Sequence, residues 1–133
     1  MRSMGLMRCL TCVLLGSLAL ACSAGREVEV SGEVAAPASV MTTGPILVEF
    51  IDIVDDSPEA ENEVVHSLEL SAPGSFAEKV SLEGDKVLVR AINDKDGNGA
   101  CSAGEAWAQT EAEIAADDTI EPLTITLANA ACP

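Results

Sequence analysis

The sequence predicts an all-β domain, a seven-stranded antiparallel β-sandwich. Three observations lead to this fold class. Apolar and polar residues alternate over short runs, as expected of strands that are half buried. Gly, Pro, Asp and Asn separate these runs at the intervals typical of an antiparallel sandwich. The chain of 133 residues is long enough for one domain and too short for two.

The domain is expected to occupy residues 27–133, behind a leader and a linker. Residues 1–21 have the organisation of a signal peptide: Arg2 and Arg8 make a positive start, and an apolar run follows. This run is too short to span a bilayer. Residues 22–26 are expected to be Cys22 followed by a very short linker.

The leader ends in 18-LALAC-22. This resembles the lipobox of bacterial lipoproteins, in which small residues precede a cysteine that is acylated and becomes the first residue of the mature protein. The family usually has Leu three places before that cysteine, where this chain has Ala19. The resemblance implies lipidation at Cys22 and a lipid anchor in the cell envelope. Ser23 follows, where Asp signals inner-membrane retention in enterobacterial lipoproteins, which favours the outer membrane. The alternative is an ordinary secretory peptide cut nearby, with Cys22 a plain thiol.

The cysteine count fits this interpretation. Cys9 and Cys12 leave with the signal peptide and Cys22 takes the lipid, so Cys101 and Cys132 remain. In an oxidising compartment such a pair most simply forms one disulfide. It would close about 30 residues and contribute on the order of 3–4 kcal/mol to stability. Two free buried thiols are the alternative.

The mature protein is strongly acidic. Removal of Arg2 and Arg8 leaves five basic residues against 22 acidic ones, a net charge of −17. Such a surface repels nucleic acid and anionic lipid headgroups. Membrane attachment is therefore expected through acyl chains and not through a basic patch. The same charge favours cations, although solubility alone explains much of the acidity.

The first strand is expected at 27–30, where two valines alternate with two glutamates. Gly32 near its end permits a bulge or bend. Residues 35–45 have the composition of a loop. The run 46–54 is the most apolar of the chain and is expected to be the central strand.

The acidic segment 55–63 contains Pro and no apolar run, which indicates a loop. Together with Asp52 it offers a second, weak cation site, but a solvated loop is the simpler interpretation. The strand 64–70 follows, in which Val64 is expected to share a face with two leucines.

Two turns, 72–74 and 83–85, bound the next strand at 76–82. In the strand 86–93, two valines and an alanine fall on one face. The last strand, 123–127, alternates regularly.

Residues 106–114 fit two structures. Ala and Glu favour a helix, whereas the short length, Trp107 and Thr110 favour a strand. We prefer the strand, because it pairs naturally with 86–93 across the loop between them.

That loop, 94-DKDGNGACSAGE-105, carries the most specific motif of the chain. Calcium takes about six to eight oxygen ligands, and the spacing D-x-D-x-N-G-x5-E is that of an EF-hand calcium loop. The predicted Ca²⁺ ligands are Asp94, Asp96, Asn98, the backbone carbonyl of Ala100, and Glu105.

The surroundings are not those of an EF-hand, because a strand and not a helix precedes the loop. Cys101 also stands where EF-hands carry a branched aliphatic residue. The alternative is a plain hairpin connection, since Asp-Gly and Asn-Gly suit tight turns. The length of the connection favours calcium, because a tight hairpin needs only about two to five residues. A disulfide at Cys101 would brace the same loop, which favours a structural role for the ion.

Three stretches, 29-EVSGEV-34, 73-PGSF-76 and 83–107, resemble the transthyretin-like, or carboxypeptidase-regulatory-like, domains of bacterial secreted proteins. The resemblance implies a seven-stranded transthyretin-like or immunoglobulin-like sandwich. It also implies a binding, adhesive or accessory module without catalytic activity. The segment 55–63 has no counterpart in that pattern. The family's loop motif carries over onto Asp94, Asp96, Asn98, Gly99, Gly104 and Glu105.

Nothing in the sequence favours an enzyme. His66 is the one histidine, and it lies on an apolar strand. Nucleophile-elbow, zinc-protease and phosphate-loop motifs are absent from the sequence. We therefore expect a lipid-anchored envelope protein used for binding or scaffolding, with an envelope protein or polysaccharide as partner. The alternative is a purely structural envelope lipoprotein without metal or ligand.

Overall fold

The computed structural model describes residues 25–54 and 62–133. Within these ranges the chain forms strands and turns and no helix. No segment of the described part is therefore a helix long and apolar enough to cross a membrane. The predicted signal peptide, Cys22 and most of the acidic segment 55–63 lie outside the described residues. The seven strands are β1 (Arg26–Ala35), β2 (Ile46–Ile53), β3 (Glu63–Leu70), β4 (Gly74–Leu82), β5 (Lys86–Asn93), β6 (Trp107–Glu113) and β7 (Leu123–Thr126).

These strands form two sheets, in the orders β4-β1-β7 and β3-β2-β5-β6. The all-β class and the seven strands are confirmed, and β2 lies inside its sheet as predicted. Four strand pairs are antiparallel, but β1 and β7 are parallel. The expectation of a wholly antiparallel sandwich is therefore wrong at this pair. Alternation within 123–127 predicts a strand and carries no information about its direction or its partner.

Gly32 has a different role from the one expected. The pairing of β1 with β4 runs through Gly32 without a shift in register, so there is no bulge at this position. Gly32 is instead the first residue of β1 that pairs with β7, opposite Leu123. A Cβ at Gly32 would overlap the backbone of Leu123. Because Gly32 has no side chain, the backbone of β7 can lie close to β1.

The core lies between the two sheets, because buried side chains of both sheets form one cluster. The rings of Phe50 and Phe76 meet edge to face across it, with centroids 5.9 Å apart. Burial of each large aliphatic side chain stabilises the fold by roughly 1.5–3 kcal/mol. The cluster includes Val28, Val30, Val34, Val80, Leu82 and Ile125 of the first sheet, and Ile46, Val48, Phe50, Val87, Val89 and Ala91 of the second.

The pairing of β2 with β3 contains an irregularity that the sequence did not predict. Phe50 pairs with His66, but the next residue, Ile51, pairs with Val64. One extra residue therefore lies in β3, and it moves the residues before it to the opposite face. Val64 consequently lies on the outer face, 45% exposed, and does not share a face with Leu68 as expected.

Residues 107–113 are a strand, which confirms the preferred interpretation. They pair with β5 along their whole length, from Trp107 opposite Ile92 to Glu113 opposite Lys86. The helix propensity of Ala and Glu is overridden here, because an edge position beside β5 satisfies the backbone hydrogen bonds of the segment.

The strand directions place the connections at two opposite ends. At the first end, which we call the amino pole, Arg26 donates to the carbonyl of Gly84 (3.2 Å) and lies 3.4 Å from the carboxylates of Asp85 and Asp118. The other end, the loop pole, holds residues 36–45, 94–106 and 127–133. There the backbone NH of Asp94 donates to the carbonyl of Pro45 (3.0 Å).

Candidate metal site

The loop 94–105 starts where β5 ends and returns the chain to β6. Its base is closed by the backbone NH of Asn93, which donates to the carbonyl of Ala106 at 2.8 Å. Glycines with positive φ supply the turns inside it: Gly97 (69°), Gly99 (76°) and Gly104 (85°). Left-handed backbone of this kind is unfavourable for other residues. The chain therefore folds back on itself between two strands, as the sequence predicted.

The fold-back brings three predicted ligands together. Asp94, Asp96 and Glu105 each offer a carboxylate oxygen, and the three oxygens lie within 4.8 Å of one another. Asp94 and Glu105 are both only 4% exposed, whereas Asp96 is exposed. Hard carboxylate oxygens at such spacing are the donor set that calcium prefers. This group of residues can therefore hold a divalent cation.

Backbone NH groups hold the two buried carboxylates in place. The oxygens of Asp94 accept from the NH groups of Asn98 (3.2 Å) and Gly99 (2.9 Å). The oxygens of Glu105 accept from the NH groups of Ser102 (2.8 Å) and Asp96 (3.2 Å). Each carboxylate oxygen has two lone pairs, so these bonds leave capacity for a cation. They also offset part of the repulsion between the three negative charges.

The pKa of the Asp96 carboxyl lies below its ordinary value of 3.8. Loss of water contact is the largest single effect and raises this pKa. Hydrogen bonds that involve the backbone NH of Asn98, and then the side chains of Ser102, Asp94 and Glu105, lower it by more in total. The lowered pKa favours the ionised form of Asp96, which is the form that binds a cation.

The other two predicted ligands, Asn98 and the carbonyl of Ala100, are not carboxylates. The Oδ1 atom of Asn98 accepts from the backbone NH of Ala100 (3.0 Å), and its Nδ2 donates to Oγ of Ser102 (2.8 Å). These contacts fold the middle of the loop. The ligand roles of Asn98 and of the Ala100 carbonyl stay predictions.

Sequence reasoning missed the residue that fastens the base of the loop. Asn93 is fully buried, and its Nδ2 donates to the carbonyls of Thr43 (3.0 Å) and Pro45 (3.3 Å). Its Oδ1 accepts from the backbone NH of Thr43 (3.3 Å). Asn93 thereby ties the segment 36–45 to the residue just before Asp94. The one signal in the sequence was a polar residue on the inward face of an apolar strand.

The disulfide Cys101–Cys132 is present, as predicted, with the two Cα atoms 5.8 Å apart. It fastens the C-terminal tail across the loop. The tail is also held by Trp107, whose Nε1 donates to the carbonyl of Ala131 (2.8 Å) and whose backbone pairs with Ala128. We call residues 128–132 the strap.

A cavity of about 490 Å³ lies between the loop and the strap. Most of its lining is small or apolar, and it is open to solvent. It is lined by Ala103, Gly104, Glu105, Asn129, Ala130, Ala131 and Cys132.

Comparisons with protein families, with curated proteins and with solved structures gave no match for this chain. The resemblance to transthyretin-like domains and to lipoproteins is one of sequence motifs.

Proposed function

We propose that this chain is a lipid-anchored protein of the bacterial cell envelope, with a transthyretin-like β-sandwich that calcium stabilises. The domain serves binding or scaffolding and not catalysis, and its partner is an envelope protein or polysaccharide. The outer membrane is its proposed location. The observation that carries the calcium part is the cluster of Asp94, Asp96 and Glu105 oxygens within 4.8 Å.

Charge and burial support the metal. Carboxylates at such short distances repel one another, and two of these three are almost fully buried. A divalent cation would remove that repulsion and add direct ionic bonds. Lys95 is the basic residue within the loop, and its Nζ donates to the carbonyl of Gly104 (3.3 Å).

The anchor is proposed from 18-LALAC-22 and from the position of β1. Arg26, the first residue of β1, follows Cys22 by four positions, so the linker spans at most about 14 Å. A non-catalytic role is proposed from the absence of catalytic motifs in the sequence. His66 supports it, because its Nε2 contacts Oε1 of Glu78 at 2.8 Å and so bridges the two sheets.

The test is thermal unfolding of the mature protein, purified in mild detergent, in chelator and in several millimolar calcium. Sites outside cells bind calcium with Kd of about 0.1–1 mM. Calcium at about ten times Kd should then raise Tm by roughly 5–10 °C. Magnesium should act more weakly, because it demands a smaller, near-octahedral site.

Glu105→Gln should abolish the calcium-induced rise, since it removes the charge of a buried ligand. Glu27→Gln is the matched control, because Glu27 is exposed on β1 and the charge change is the same. It should keep the full rise. An unchanged Tm of the natural protein in calcium would contradict the metal and favour the alternative, a purely structural envelope lipoprotein.

A further inference from the structure

We propose that the Cys101–Cys132 disulfide and the cation site of the proposed function are thermodynamically coupled. The oxidised protein binds calcium more tightly than the reduced one, and bound calcium protects the disulfide from reduction. This inference rests on the proposed function, because it assigns a redox control to the same site.

The coupling runs through a short series of contacts. Cys101 is bonded to Ser102 along the chain, and the backbone NH of Ser102 donates to Oε1 of Glu105 at 2.8 Å. The carbonyl of Ser102 lies 3.3 Å from Sγ of Cys132. The disulfide therefore fixes Ser102, one of the two residues whose backbone NH groups orient the buried Glu105 carboxylate. Without it, the strap is held by the bonds of Trp107 to Ala128 and Ala131 and by the bond from Asn129 to the carbonyl of Ser39.

Pre-organisation explains the direction of the effect. The three carboxylate oxygens lie within 4.8 Å of one another, and a disulfide that holds the loop in this arrangement offsets part of the repulsion between like charges. Once the strap is free, that repulsion opens the loop, and calcium must close it again. The free energy of calcium binding then becomes less favourable by the free energy that closing the loop requires.

The cavity between loop and strap gives a reductant access. Cys132 lines it, and its other walls carry the small side chains Ala103, Ala130 and Ala131. A dithiol reductant attacks Sγ of Cys132 as a thiolate, which forms a mixed disulfide and releases Cys101 as a thiolate. The second thiol of the reductant then displaces Cys132. Two electrons pass to the protein, which becomes a dithiol, and the reductant becomes a cyclic disulfide.

Two measurements on the mature protein in mild detergent test the coupling. The first compares calcium binding by calorimetry to the oxidised protein and to the Cys101→Ser/Cys132→Ser variant. We expect affinity about tenfold lower without the disulfide. The second equilibrates the natural protein with dithiothreitol redox buffers and measures the reduced fraction. Because coupling is reciprocal, saturating calcium should lower the midpoint potential by about 30 mV for that tenfold change.

The redox measurement uses the natural protein. It therefore tests the coupling even if the Cys101→Ser/Cys132→Ser variant does not fold. Its matched pair is Glu105→Gln, whose midpoint should no longer respond to calcium, and Glu27→Gln, whose midpoint should respond fully. Calcium binding to the oxidised protein with an unchanged or raised midpoint would overturn the coupling and leave the proposed function standing. No calcium binding to the oxidised protein would overturn both.

Discussion

At the scale of single residues, Asp52 and Gly84 together shape the turn at the amino pole. Asp52 is 3% exposed, and its carboxylate accepts from the backbone NH groups of Glu83 (2.8 Å) and Gly84 (2.9 Å). The sequence placed Asp52 beside an acidic run with a weak cation site. Both of its oxygens hold the turn between β4 and β5. The weak cation site stays a prediction, because residues 55–61 lie outside the described residues.

Gly84→Ala should destabilise the protein by roughly 2–4 kcal/mol. A Cβ at Gly84 would overlap the carbonyl oxygen of Ile53, so the turn must shift and its bonds to Asp52 must lengthen. Urea unfolding measures the change, with the slope of the transition checked for constancy.

Gly74→Ala is the control for this prediction. A Cβ at Gly74 meets only the carbonyl oxygen of Ala72, at an ordinary 3.9 Å. Its effect should stay within about 0.5 kcal/mol. Equal effects of the two substitutions would show that the contact with Ile53 is not what constrains the turn.

The lowered pKa of Asp96 predicts a pH dependence in chelator. A carboxyl whose pKa is lower in the folded protein stabilises the fold above its unfolded pKa. That stability is lost as the pH falls through the folded pKa. Acidification should therefore lower the Tm of the natural protein relative to that of Asp96→Asn, and this relative change should be complete well below the ordinary value of 3.8. Melting curves from about pH 6 to pH 2.5 measure it. A Tm of the natural protein that rises relative to that of Asp96→Asn on acidification would mean that repulsion from neighbouring carboxylates raises this pKa instead.

At the scale of elements, local patterns predicted what each segment is, and not always what it pairs with. The position of each strand follows from alternation and turn residues, and β6 was correctly preferred to a helix. The parallel partner of β7 and the extra residue in β3 were missed. Both depend on backbone contacts between distant segments, such as Gly32 with Leu123, which no local period encodes.

The loop 94–105 shows the same division. Spacing alone predicted that Asp94, Asp96 and Glu105 converge, because a calcium loop motif encodes its own turns through glycine. The disulfide followed from a count of cysteines. The bonds of Asn93 to Thr43 and of Trp107 to Ala131 were missed, because the partners in each pair are distant in sequence.

At the scale of the whole molecule, the two poles have different chemistry. The amino pole carries Arg26 among acidic residues of the turns near it, including Asp85 and Asp118. The loop pole carries the cation cluster, the disulfide and the cavity. If Cys22 is anchored, the amino pole faces the lipid surface and the loop pole projects away from it. The proposed cation site then lies where solvent ions and reductants reach it.

The last prediction concerns the proposed lipid anchor at Cys22. Cys22→Ser should move the protein from the membrane fraction to the soluble fraction, because two or more acyl chains are needed for stable attachment and a serine accepts none. Intact-mass measurement of the natural protein should show the loss of residues 1–21 and the added mass of the lipid. Cys12→Ser is the matched control, since Cys12 leaves with the signal peptide, and it should stay in the membrane fraction. The soluble Cys22→Ser protein should keep the calcium response, because the Asp94–Glu105 loop lies at the opposite pole from Arg26, the first residue of β1. A natural protein that is already soluble and carries no lipid would show instead that 18-LALAC-22 is an ordinary secretory cleavage region.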